Sequence, residues 1–206
     1  MLEDFVESKA DKVLTHAIIK PTCSNSVKSI PRDNLWCRLP AGAAAYRPWL
    51  RDLGSLTARI QERCPAFSVK VAFQGLRRLN RDEREVFRRS GVRLAMVREV
   101  YLYCRRTPVV FAHSVLDARD MRGAWRALAG LGRRPLGAAL FADPRVRRYP
   151  LRQKKLNRSH ELHRRARAVL RRAPVTLWAR RSLFALHESP ILVTEVFLPG
   201  ILKLRP

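Results

Sequence analysis

Residues Arg93 to Tyr103 alternate with a period of two, so successive side chains fall on opposite sides of a β-strand. One side presents Leu94, Met96, Arg98, Val100 and Leu102; the other presents Arg93, Ala95, Val97, Glu99, Tyr101 and Tyr103. The first face is apolar except for the arginine at its centre. A guanidinium does not shed its proton, and burying one without a partner is costly. A fold that buries this face must therefore supply Arg98 with an anion. Two sources satisfy that need: a carboxylate of the chain itself, as a structural ion pair, or a carboxylate on a small ligand.

A second strand repeats the problem with the opposite sign. Ile191 to Leu198 places Glu195 on one face with Ile191, Val193 and Phe197. It follows Val175 to Leu186, which shares one face between Trp178, Arg180, Ser182, Phe184 and Leu186, through a turn at Glu188-Ser189-Pro190. Glu195 has its own alternatives: a bridge to Arg98 or Arg180, or a ligand group.

The remaining pattern supplies the frame. Ser55 suits a helix N-cap, with Leu56, Ile60 and Cys64 on one helical face. Phe67, Val69, Val71 and Phe73 predict a strand with one buried face, and a short helix is expected at Asp82 to Arg89. Val109 to Leu116 is expected to return antiparallel to the central strand after Arg105-Arg106-Thr107-Pro108, with His113 a structural side chain. A helix is expected over 118–130, with Met121, Trp125 and Leu128 on one side. Pro135 suits the first turn of another helix beginning near Leu136. The N–H groups that open a helix have no partner within it, so Leu56 and Leu136 mark two ends able to receive an anion as well as two ordinary caps. The sum is an α+β domain, with antiparallel strands and helices packed on one side.

The chain has 206 residues, 47% of them hydrophobic, which suits one domain with a real core, or one domain plus an appendage. Residues 1–45, with a short amphipathic stretch and a Ser-rich loop, are expected to form a peripheral arm; 46–206 form the domain. A basic segment at about 143–173 carries nine Lys or Arg between Arg152 and Arg172 against the single acid Glu161, and 158–170 reads as a solvated helix. His160-Glu161-Leu162-His163 lacks the spacing that puts two imidazoles on one metal, and the four cysteines form no CxxC pair. Neither a metal nor a disulfide is expected, and Cys104 reads as a plain thiol. No secretory pattern and no apolar run long enough to span a bilayer occur, so a soluble cytoplasmic protein is the expectation; a monomer is expected as well, although nothing in the sequence fixes the oligomeric state. The net charge of +25 attracts nucleic acid without specificity, but the basic runs lack the interleaved aromatics of a single-strand platform, so nucleic acid is not the expected partner.

From Trp49 to Pro199 the chain resembles the bacterial chorismate lyase family. The matching stretches are Gly54-Ser55-Leu56-Thr57, Val97-Arg98-Glu99-Val100, Pro135-Leu136-Gly137 with Leu140-Phe141, Trp178-Ala179-Arg180-Arg181-Ser182, and Pro190 through Thr194-Glu195-Val196-Phe197-Leu198-Pro199. The resemblance implies a six-stranded antiparallel sheet and a ligand enclosed beneath flaps. It implies a cofactor-free lyase that converts chorismate to 4-hydroxybenzoate and pyruvate, at the head of ubiquinone synthesis. It also implies that Arg98 binds the ring carboxylate with help from the backbone amides of Leu56 and Leu136, and that Glu195 meets the ring hydroxyl. Glu195 then either orients that hydroxyl or acts as general base, the other route being direct hydrogen transfer to the leaving enolpyruvyl methylene. Arg180, with Arg181 next in line, is the candidate for the enolpyruvyl carboxylate. Related folds also serve as ligand sensors in transcription regulators, which is the rival function for a chain of this kind.

Overall fold

The alternating stretches pair into one antiparallel sheet in a computed structural model that describes residues 36–37, 42–87 and 91–204. Strand β1 (Phe67–Arg78) lies at one edge, followed by β2 (Leu94–Cys104) and β3 (Thr107–Asp117). The chain then leaves the sheet and returns as β4 (Val146–Arg148), β5 (Arg152–Asn157), β6 (Thr176–Leu186) and β7 (Ser189–Phe197). The spatial order is β1-β2-β3-β7-β6-β4, with β5 also on β6. Among the described residues seven strands thus fill six lanes: β4 pairs with Phe184–Leu186 and β5 with Thr176–Arg181. Pro150, which has no N–H to give a ladder, separates the two.

Helices α1 (Arg47–Arg51), α2 (Leu56–Arg63) and α3 (Leu136–Ala142) belong to the face that carries Arg98. There Trp49, Leu50, Leu56 and Ile60 pack with Val100, Leu102, Trp178 and Phe197. The opposite face is also covered, which corrects the expectation of helices on one side only. Helix α4 (Glu161–Ala166) buries Leu162 and Ala166 against Tyr101, Phe111, Leu177 and Val196. Both faces of the central strands carry apolar side chains, so a single helical layer would leave one face wet.

Several other expectations change. The stretch 158–170, expected as a solvated helix, holds α4, which buries Leu162, His163 and Ala166, and the rest of the basic segment supplies β4 and β5. In place of a helix over 118–130 there are two short 3-10 turns, Ala118–Arg122 and Arg126–Leu128, separated around Gly123. Trp125 still faces inward and donates its Nε1–H to the Ser189 carbonyl at 3.1 Å. The region expected to be helical from Asp82 forms turns over 81–87, and its end lies outside the described residues. Cys64, at the C-cap of α2, is disulfide-bonded to Cys104 at the end of β2, so neither is a plain thiol. Forty residues separate the pair, so no spacing motif announced it; the β1–β2 register brings them together by setting Phe67 opposite Cys104.

The amphipathic stretch near the N-terminus lies outside the described residues. Trp36 and Cys37 are described: Trp36 is buried in the α4 cluster, and Cys37 exchanges two backbone hydrogen bonds with Gln153 at 2.7 and 2.9 Å. No helix among the described residues is long and apolar enough to cross a membrane.

Candidate active site

Register brings the isolated charges onto one face. Arg98 on β2 lies opposite Ser114 on β3, which lies opposite Val193 on β7 and then Ser182 on β6. Two residues along, Val100, Ala112, Glu195 and Arg180 form the next row. Arg98 and Glu195 therefore stand two lanes and one same-face step apart, roughly 12 Å between Cα atoms at standard strand spacings. Both point to the same side.

A cavity occupies that side. Leu56, Arg98, Leu136, Arg180 and Glu195, the five residues singled out from the sequence, all line it. Thr57, Gly137, Leu140, Phe141, Arg148 and Phe184 complete much of the wall. The starts of α2 and α3 meet over it. A Cβ added at Gly137 would lie 3.4 Å from Thr57 Oγ1 and 3.5 Å from Ser55 Oγ, ordinary contact distances that show how closely the two helix ends sit side by side. Ser55 caps α2 by accepting from the Ala58 N–H at 3.3 Å, and the first intrahelical bond runs from Arg59 N to Ser55 O. The N–H groups of Leu56 and Thr57 precede it.

Arg98 is 7% exposed and, among the described residues, meets only neutral acceptors. It donates to Gln74 Oε1 at 2.6 Å, to the Gly132 carbonyl at 2.9 Å and to the Arg134 carbonyl at 3.2 Å. These bonds fix the fork without cancelling its charge, and burial depresses the guanidinium's pKa. No carboxylate among the described residues pairs with it, so of the two sources of an anion the internal one is not used.

The bond to Gln74 depends on a feature the alternation of β1 does not announce. The register shifts between Val71 and Phe73, a bulge that makes Val71 face Val100 but Phe73 face Glu99. Phe73 therefore joins the far side with Val97 and Val115 instead of continuing the row of Val69 and Val71. The same shift turns Gln74 toward Arg98.

Glu195 is bridged to Arg180, one of the partners considered for it. Arg180 Nε lies 2.5 Å from Glu195 Oε2, and its Nη1 donates to the Trp49 and Asp52 carbonyls at 2.9 and 2.6 Å. Arg180 is 1% exposed, so the pair is held from behind by the α1 backbone. Arg181 points to the opposite face, over the Trp36 ring and 3.3 Å from Asp82 Oδ2, which removes it as a candidate for this cavity.

Arg148 was not singled out from the sequence. It comes from β4, opposite Phe184, and stacks near the rings of Phe141 and Phe184 at 5.1 and 5.3 Å. In an arginine-rich run of charge one functional arginine carries no distinguishing mark. The three guanidiniums of Arg98, Arg148 and Arg180 against the one carboxylate of Glu195 leave the lining with an excess of two positive charges. Such a lining fits a dianion.

Behind the sheet lies a different cluster. Glu99 accepts from Arg165 Nη1 at 2.6 Å and Arg77 Nη1 at 3.1 Å, and His113 bridges Glu99 at 3.0 Å and Glu83 at 2.8 Å. His113 is thus the structural side chain expected of it.

Residues 33–204 match the family model described as Chorismate lyase. A "Probable chorismate pyruvate-lyase" of Nitrosospira multiformis is 57% identical over 159 residues, covering 77% of this chain and 88% of that protein. A protein of the same description from Aromatoleum aromaticum is 49% identical over 188 residues, covering 90% and 98%. Among solved structures, the effector domain of PhnF from Mycobacterium smegmatis is 12% identical with a TM-score of 0.48, covering 72% of this chain and 91% of that one.

Proposed function

Because the chain belongs to the chorismate lyase family, we propose that it removes pyruvate from chorismate to leave 4-hydroxybenzoate, the aromatic precursor of ubiquinone. The observation that carries this reading is a buried, unpaired Arg98 in a cavity whose lining exceeds charge balance by two, because chorismate is a dianion. The chain acts on this small molecule in the cytoplasm as a monomer, without nucleic acid.

Arg98 takes the ring carboxylate through its guanidinium fork, with the backbone N–H groups of Leu56 and Leu136 donating to the same group. Glu195 meets the ring hydroxyl. One of its oxygens is held by Arg180 Nε, which leaves the other to accept from the substrate. The ring lies between them against Val100, Ala112, Leu140 and Val193. During reaction the bond from ring carbon to enolpyruvyl oxygen breaks, the neighbouring carbon gives up its hydrogen, and the enolpyruvyl methylene gains one, so that the fragment leaves as pyruvate. Aromatisation of the ring supplies the driving force. What the protein contributes is position, a water-poor cavity and fixed charge.

Substrate and product share the ring carboxylate and the hydroxyl. Contacts from Arg98 and Glu195 to those groups persist after the reaction, so they bind both ends of the pathway nearly equally. Purified protein mixed with chorismate is expected to form 4-hydroxybenzoate and pyruvate in equal amounts, read by chromatography. Added 4-hydroxybenzoate is expected to inhibit competitively with a Ki at or below the KM. Binding of chorismate with no product over hours would support a sensor in place of an enzyme. A Ki far above KM would contradict the persistent contacts.

A further inference from the structure

The cavity has a second guanidinium without an ion-pair partner among the described residues, and it stands where the cavity meets an open groove. Of the residues lining the cavity and those lining the neighbouring open groove formed by Arg51, Leu53, Tyr149, Pro150, Leu151 and Gln153, only Arg148 is shared. Its Nε donates to Ser182 Oγ at 3.1 Å and its Nη1 donates to the Leu53 carbonyl. Both acceptors are neutral. Nη2 has no acceptor and the side chain has no ion-pair partner among the described residues. Glu195 and Asp52 are near enough to act on Arg148 through their fields, yet Glu195 already pairs with Arg180 at 2.5 Å and Asp52 with Arg59 at 2.9 Å.

We propose that Arg148 receives the second carboxylate of a dianionic substrate, the one carried by the departing three-carbon fragment, and passes that fragment to the outer groove. The inference rests on the lyase reading above and sharpens it. The ring carboxylate belongs at Arg98, deep between the helix starts, and the hydroxyl at Glu195. The remaining carboxylate must then lie toward the mouth, where Arg148 is fixed by Ser182 and Leu53 and flanked by Phe141 and Phe184. Arg180 is the poorer receptor because its charge is cancelled by Glu195 and its Nη1 is occupied by two carbonyls. Once the carbon–oxygen bond has broken, the fragment is a free carboxylate at a residue already open to the groove. The aromatic product, a monoanion, makes no use of Arg148. This residue therefore separates substrate from product, whereas Arg98 does not.

The test is Arg148→Met, which keeps the stem length and removes the charge, alongside Arg148→Lys, which keeps a charge without the fork. Steady-state kinetics with chorismate and calorimetry with 4-hydroxybenzoate are run on the same preparations. For the methionine variant we expect KM for chorismate to rise 30- to 100-fold while the Kd for 4-hydroxybenzoate stays within about threefold. The lysine variant is expected to raise KM three- to tenfold, with the same unchanged product affinity. Unchanged KM in both variants overturns the proposal, as does a parallel loss of substrate and product affinity. If the methionine variant does not fold, the lysine variant alone decides by the same contrast. Failure of the parent protein to release pyruvate from chorismate would instead overturn the lyase reading, so the two failures are told apart.

Discussion

Arg98→Ala is expected to weaken binding of 4-hydroxybenzoate by at least ~3 kcal/mol, roughly a hundredfold or more in Kd by titration calorimetry. The cost arises because the variant still offers the cavity to a carboxylate but no longer offers the charge that offsets its desolvation. Arg98 is 7% exposed, so bulk water screens the interaction little. Lysine is not expected to rescue it. The guanidinium reaches Gln74, Gly132 and Arg134 at once, and that three-way hold aims the fork at the cavity. Stability without ligand is expected to change far less than binding, because the cation that is removed was buried with no anion of its own. A variant that binds product nearly as well as the parent would remove Arg98 from the ring carboxylate. One that fails to fold would mean that its three neutral hydrogen bonds matter more to the sheet than to the ligand.

What the sequence disclosed follows from how each residue's setting is encoded. Arg98 and Glu195 were legible because period-two alternation is a local property: a lone charge in an apolar row shows itself without knowledge of any partner strand. The helix starts at Leu56 and Leu136 were legible for the same reason, from Ser55 and Pro135. Gln74 was not, because the bulge between Val71 and Phe73 inserts one residue and inverts the sides of everything after it, while apolar alternation reads straight through. Met121, Trp125 and Leu128 have helical spacing, yet Gly123 interrupts them and Trp125 is held by the Ser189 carbonyl instead of by a continuous helix. Arg148 and the Cys64–Cys104 link depend on pairing across 30 or more residues, Arg148 with Phe184 and Cys64 with Cys104. Contacts of that kind have no local signature.

The far side of β2 carries the largest expected effect on stability. Glu99→Leu is expected to cost about 3–5 kcal/mol, because it strips the shared anion from Arg77, His113 and Arg165 while leaving their charges buried or half-buried. Product affinity is expected to stay within a few-fold, since Glu99 points away from the cavity that Arg98 enters. The pH dependence follows from the same groups. Burial works against charge on Glu99, but His113 and Arg165 outweigh it and pull its carboxyl down to about 2. Burial likewise opposes charge on His113, but Glu83 and Glu99 outweigh it and raise the imidazole to about 9. The contribution of Glu99 is present above its ordinary value near 4.5 and is lost as pH falls toward 2. The contribution of His113 is fully present below its ordinary value of 6.5 and is lost as pH rises through about 9. Both therefore act together between about pH 4.5 and 6.5, and urea unfolding of the parent is expected to show its highest midpoint there. In Glu99→Leu the imidazole keeps only Glu83 as its anion, so the alkaline fall is expected to begin at lower pH. Equal urea midpoints for parent and variant at pH 6 would mean that the attraction within the cluster does no more than offset the desolvation of its members.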